Sequence, residues 1–333
     1  MIDHADKNKR YLVLAGSEFD FQTLSQTLDA PWMGAVFPAI FDENTLLCYD
    51  EAFLCELGSH VNLQWVGKAS VMQTYRYTTH LVIADGIDPH ISSKLETLFA
   101  VTAEKSLLFG GGAGGIEGTM LYMYNGKTLD KEGIIVLSAD TPFGVGVDHG
   151  IVSTNECYIV TKATKNVIEE IDAQKAFIFY KTKLKELFGV EVSTENIFDM
   201  GLRYPLVFEH TFGEKIIRIP VGTDGEKLFF VGDVNSDTGL SIANVTQKDL
   251  LSAPQTAVIE AVEQLDKKID LCIVFTCLGR QTYLGKLFKK EIQQIQDKIE
   301  YAPIVGVLSM GEIANLSDRY LEFHNCTCVV GVE

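Results

Sequence analysis

The sequence predicts a mixed α/β fold of two related halves, each with mixed, largely antiparallel sheets covered by helices and containing βαβ-like units. A strand–helix–strand pattern appears three times, and Asn-Gly and Asp-Gly dipeptides mark hairpins between alternating stretches. The last of the three patterns most resembles the first, which suggests the two halves.

Residues 11–15 read as a buried strand, 21–28 as a short helix and 32–37 as a second strand ending in a Pro-marked turn. The pattern returns at 80–85, 92–102 and 106–109, where the strand runs into the glycine cluster 110–115. It returns again at 270–275, about 282–299 and 304–311. Between these units, 133–138 and 227–232 read as alternating strands, and Asn125-Gly126 and Asp224-Gly225 as hairpin turns. Residues 116–126 read as an alternating strand leading into the first hairpin. A strand and helix within 162–187 form a junction, giving halves of 9–175 and 176–333 with no Gly/Ser or Pro linker between them.

The 333 residues are 47% hydrophobic and 22% charged, enough apolar material for one large or two ordinary cores. Forty-five acidic residues against 28 Lys and Arg give a net charge of −17, which repels phosphate backbones and anionic headgroups. Nucleic acid and membrane are therefore not expected partners. The first ten residues lack a signal peptide's apolar core, and no run approaches the roughly 18 apolar residues of a membrane span, so a cytoplasmic location is expected. Seven cysteines without a C-x-x-C pair read as free thiols in a reducing compartment.

The run Gly110-Gly111-Gly112-Ala113-Gly114-Gly115 satisfies G-x-G-x-x-G after a strand, but a strand follows it where a dinucleotide fingerprint needs a helix. It reads instead as a loop of positive-φ residues that lets two sheets or a ligand approach, with Gly111, Gly112 and Gly114 as ligand-facing candidates. Arg280, placed just before a helix, suits that position when it faces an anion or a carboxylate. Glu312 follows a strand and faces a cavity or caps a helix, and a pair with Arg280 is one reading. Residues 324–328 read as one alternating strand, with His324, Cys326 and Cys328 on one face and Asn325 and Thr327 on the other.

A cysteine enzyme using Cys277 or Cys326 would need a neighbouring base, and no such signature is visible. The seven histidines contain no H-E-x-x-H and no i, i+4 pair, so no metal site is expected. His149, in Gly146-Val147-Asp148-His149-Gly150, is the candidate for a single haem ligand, because the flanking glycines leave room for a planar cofactor.

Several segments together resemble the FIST family, whose N-terminal and C-terminal halves occur in bacterial signalling proteins and eukaryotic F-box proteins. In the first half they are residues 34–40, Asp85-Gly86, Gly111 to Gly114, His149-Gly150 and 160–173; in the second, 204–206, 277–280, 311–313 and 324–327. The first half departs from the family pattern where Phe37-Pro38-Ala39 replaces a Gly-Cys-Ser-like turn, so no polar ligand contact is assigned there. The resemblance implies a non-enzymatic bacterial sensory protein that binds a small ligand, with amino acids as the proposed ligand class, and reports to a separate partner such as a histidine kinase. Gly111, Gly112, Gly114, Arg280, Glu312 and Asn325 would line the site, Arg280 holding a carboxylate and Glu312 an ammonium. The alternatives are a haem-based nitric oxide sensor regulating a histidine kinase or a cyclic di-GMP enzyme, and a cysteine-dependent enzyme.

Overall fold

The computed structural model describes residues 5–44, 46–67, 77–102, 106–116, 123–209, 215–317 and 320–333. Among them, three parallel strand–helix–strand units stand where the sequence pattern places them: Arg10–Ala15 with Trp32–Val36, Thr79–Asp85 with Leu107–Ala113, and Cys272–Cys277 with Ile304–Ser309. Each central strand is buried almost throughout, because each lies in a sheet covered on both faces. The remaining pairings are antiparallel, and the hairpins at Asn125-Gly126 and Asp224-Gly225 turn where the sequence predicts, with both glycines in the left-handed region. The mixed α/β class is thus the one expected from the sequence. Of the stretch 116–126, residues 117–122 lie outside the described residues, and Met123–Tyr124 forms the first strand of its hairpin.

Sequence halves do not form separate sheets. Glu312–Ser317 pairs with Leu107–Ala113, Cys328–Val332 with Gly144–Asp148, and Ile304–Ser309 with Ile40–Phe41. Three sheets therefore combine strands from roughly the first 150 and last 65 residues, or pack against such strands, and share one apolar core that includes Leu12, Leu81, Phe109, Phe275 and Val329. The middle of the chain builds a further sheet from Tyr158–Thr164, Val167–Ile171, Leu206–Glu209, Lys215–Arg218 and Gly239–Ile242, with its own core under the helix Ala176–Phe188.

Four sequence readings are corrected. The glycine run is no loop: Gly110 to Ala113 complete the extended strand Leu107–Ala113, and Gly110 alone of the run has a positive φ, at a nearly extended 159°. The glycines are needed because a Cβ at Gly111 would lie 2.6 Å from the Phe275 ring, and one at Gly112 2.5 Å from the Gly86 Cα. The helix expected at 282–299 starts earlier and breaks, as Leu278–Leu284, a 3₁₀ turn Gly285–Leu287 and Phe288–Gln296, with Gly285 at positive φ at the break. Arg280 consequently sits inside a helix and not ahead of one. Finally, 324–328 is no single strand. The chain reverses at Asn325–Thr327, with Cys326 at φ 57°, so the expected alternation of faces does not exist.

Candidate functional site

The parallel strands Cys272–Cys277 and Ile304–Ser309 end side by side, with Cys277 in register with Ser309. In open α/β sheets the crevice beyond the carboxyl ends of such strands is where ligands bind. Here the crevice is a recess of about 90 Å³ lined by Cys277, Ser309, Gly311 and Asn325 on one side and by Phe198, Leu202, Ile219 and Val231 on the other. The second group belongs to the middle of the chain, so the recess lies between two packed parts of the molecule, as ligand clefts commonly do.

Its polar wall is held by the turn Ser309–Gly311. Gly311 adopts φ 107°, which only glycine takes without strain. Gly112 donates its N–H to the Gly311 carbonyl at 2.7 Å, and Met310 donates to the Gly112 carbonyl at 2.9 Å. Gly111, Gly112 and Gly114 therefore act from behind: the space beside them is filled by Phe275, Ser309, Gly86 and Met310. Their bareness lets the turn seat against the neighbouring strand.

Glu312 is fully buried one step behind the recess. One carboxyl oxygen accepts the Thr327 N–H at 3.1 Å; the other lies 2.8 Å from Ser309 Oγ, which is itself 3.2 Å from the Thr276 carbonyl oxygen. Ser309 offers its one hydroxyl proton to the Glu312 carboxyl, the shorter of the two contacts. Burial raises the Glu312 pKa to about 8 against the opposing pull of the Ser309 and Thr327 hydrogen bonds. Glu312 is not among the residues that line the recess, so it meets no ligand ammonium there.

Asn325 is the predicted residue that lines the recess. It is 6% exposed; its Nδ2 donates to the His324 carbonyl at 3.0 Å, while its Oδ1 is buried without a hydrogen-bond partner. An unpaired buried carbonyl oxygen costs about 1–3 kcal/mol, so a donor arriving there recovers free energy.

Arg280 lies on the far side of the Asn325–Thr327 turn and is 0% exposed. All five of its N–H groups are engaged. Nε and Nη2 grip Glu291 at 3.5 and 2.9 Å, Nη1 donates to the His149 and Cys326 carbonyls at 3.2 Å each, and Nη2 also donates to the Leu250 carbonyl at 2.7 Å. Leu250 O is available because Pro254, inside the helix Gln247–Glu263, has no N–H to offer the residue four before it. Arg280 is therefore a joint between four segments. Its expected carboxylate partner is Glu291 of the protein, not a ligand and not Glu312.

His149 does not fit the haem-ligand role. Its Nδ1 accepts the Ile151 N–H at 2.8 Å, so the neutral ring carries its proton on Nε2. A histidine that binds iron through Nε2 needs the opposite tautomer, with Nδ1–H donating to a second group.

Burial holds the thiols protonated: Cys326 is pushed up to about 12 and Cys277 well above its ordinary value. Iodoacetamide should therefore modify the exposed Cys157 first, and Cys272, Cys277, Cys326 and Cys328 only on unfolding, as followed by intact mass. Labelling of Cys277 or Cys326 in the folded protein at the rate of Cys157 would revive a nucleophilic reading.

Family models match almost end to end: the FIST N domain over residues 12–174 and the FIST C domain over 176–315. The chain belongs to the FIST family. Domains of this family act in signal transduction as sensors of small ligands. No curated protein matches the chain. Among the described residues of this FIST protein, no helix is long and apolar enough to cross a membrane.

The predicted residues of the FIST protein thus fall in one neighbourhood but in different roles: Asn325 at the recess, Glu312 and the glycines behind it, Arg280 and His149 in the joint beyond. Sequence reasoning missed Ser309, Cys277 and Gly311 as lining residues, although each closes a strand or opens a turn. It also missed Glu291, whose signal is legible: Phe288, Glu291, Ile292 and Ile295 form one helical stripe, and all four are buried. A carboxylate on an apolar stripe announces a buried partner.

Proposed function

We propose that this FIST protein is a non-enzymatic cytoplasmic sensor whose ligand enters the recess between Asn325 and Phe198 and whose occupancy is read by a separate signalling partner such as a histidine kinase. The unpartnered Oδ1 of Asn325 at the carboxyl ends of two parallel strands supports this reading. Position and chemistry select the ligand: a small apolar body against Leu202 and Ile219, with an N–H or O–H donor for Asn325. The recess is well below the about 300–1,000 Å³ of a typical ligand pocket, so it takes one end of such a molecule. An apolar amino acid offers this pattern through its ammonium group, with its carboxylate directed outward, since Arg280 is occupied.

The ligand touches both the helix Ile197–Arg203 and the turn Asn325–Thr327, two parts that no shared strand connects, which is how binding would alter the surface a partner sees. A thermal-shift panel of apolar amino acids and short-chain amides on the full chain, followed by calorimetry of the best compound, tests this. Asn325→Ala should weaken binding by about ten-fold or more. Undiminished affinity in that variant, or stabilisation by no member of the panel, removes the assignment.

A further inference from the structure

A second cavity, of about 280 Å³, lies deep between the sheets and shares no lining residue with the Asn325 recess. Its walls come from strands far apart in sequence: Leu12 and Leu57 from one sheet, Leu81 and Leu137 from the second, and Ile273 and Val305 from the third. Ile273 and Val305 are register partners near the start of the two parallel strands whose ends, Cys277 and Ser309, line the recess. The same strand pair therefore carries a cavity at each end, roughly 13 Å apart at about 3.3 Å per residue.

We propose that this wedge is a second ligand site, and that it takes a small apolar molecule without negative charge. The walls are mainly apolar, and the Thr79 hydroxyl among them already donates to the Thr141 carbonyl, so that hydroxyl calls for no ligand polar group. Charge at the mouth sets the sign. Glu56, His60 and Glu333 line it, and no Lys or Arg does; at its rim Lys9 is paired with Glu56 at 2.6 Å and Arg10 donates to the Gly58 and Val61 carbonyls at 3.2 and 2.6 Å, so both cations are engaged. A fatty acid would set its carboxylate against Glu333 with no cation among the lining residues, whereas an amine or an alcohol would not meet that repulsion. The volume approaches that of small-molecule pockets.

The test uses the full chain and the neutral dye 1-aminoanthracene. Its fluorescence should rise on binding, octylamine and octan-1-ol should displace it, and octanoate should do so about ten-fold more weakly or worse. Ile273→Phe and Val305→Phe, each at a half-buried position facing the cavity, fill it in two independent ways. Each variant that keeps the wild-type circular dichroism should lose the dye. Asn325→Ala should keep it. The inference is overturned by an absent fluorescence rise, by octanoate displacing as well as octylamine, by dye binding that persists in a folded filled variant, or by its loss in Asn325→Ala.

Discussion

Arg280→Ala is expected to lower the unfolding free energy by about 3–5 kcal/mol, because it leaves the Glu291 carboxylate buried without its partner. Both side chains are 0% exposed, and the guanidinium also closes the otherwise unpaired carbonyls of His149, Cys326 and Leu250. Glu291→Ala should cost a similar amount, since it strands the arginine instead. The double variant Arg280→Met/Glu291→Leu should recover most of the loss, because an apolar pair removes both desolvated charges together. Urea unfolding of the four proteins measures the cycle. Near-additive single effects, or an Arg280→Ala protein as stable as wild type, would show that the joint is not a coupled buried pair. This expectation reverses the one that follows from placing Arg280 in a ligand site, where its loss would abolish binding and spare stability.

Glu312 should make the protein less stable as pH rises through neutrality. Its folded pKa is raised by burial to about 8 from an ordinary carboxylate value, so between the two pKa values the folded state holds a proton that the unfolded state has released. Stability from this group is complete below the unfolded pKa and is lost as pH climbs to the folded pKa. His80 and His324 act oppositely: burial lowers both to about 4, so their contribution is present above 6.5 and is lost as pH falls below it. The window from 6.5 to 8 therefore separates the two effects. Across it Glu312 should account for about 2 kcal/mol, at about 1.4 kcal/mol per pH unit. Glu312→Gln keeps an acceptor for the Thr327 N–H but cannot ionise. Its stability should be flatter over that window and should exceed that of wild type at pH 8. Parallel pH profiles for the two proteins would mean that Glu312 is ionised in the fold.

Site chemistry and joint chemistry meet at the reversal Asn325–Thr327. Thr327 donates its N–H to Glu312, Cys326 gives its carbonyl to Arg280, and Asn325 turns toward the recess. The turn is thus fastened on two sides by buried groups that cannot rearrange cheaply, which pre-organises the Asn325 amide for a ligand donor. A ligand that displaced this turn would have to disturb Glu312 or Arg280, so the softer wall is the one carrying Phe198, which is 42% exposed.

The amino-acid sequence by itself determined the α/β class, the three parallel units, the two hairpins and the family. The class, units and hairpins rest on local signals, namely apolar strands, helical periodicity between them, and Asn-Gly and Asp-Gly turns, whereas the family rests on its resemblance at segments such as 277–280 and 311–313. It also brought Gly112, Arg280, Glu312, Asn325 and His149 into view, because residue types at the ends of strands and turns can be read without knowing what lies opposite. What lies opposite was decided by the tertiary structure alone. The partner of Arg280 is eleven residues along the chain on a second helix, the acceptor freed by Pro254 is on a third, and the His149 carbonyl comes from the first half. The glycine run became a strand, not a loop, because Phe275 and Met310 from the far end of the chain press against it. Each outcome depends on how helices and sheets pack against one another, and no local pattern encodes that packing.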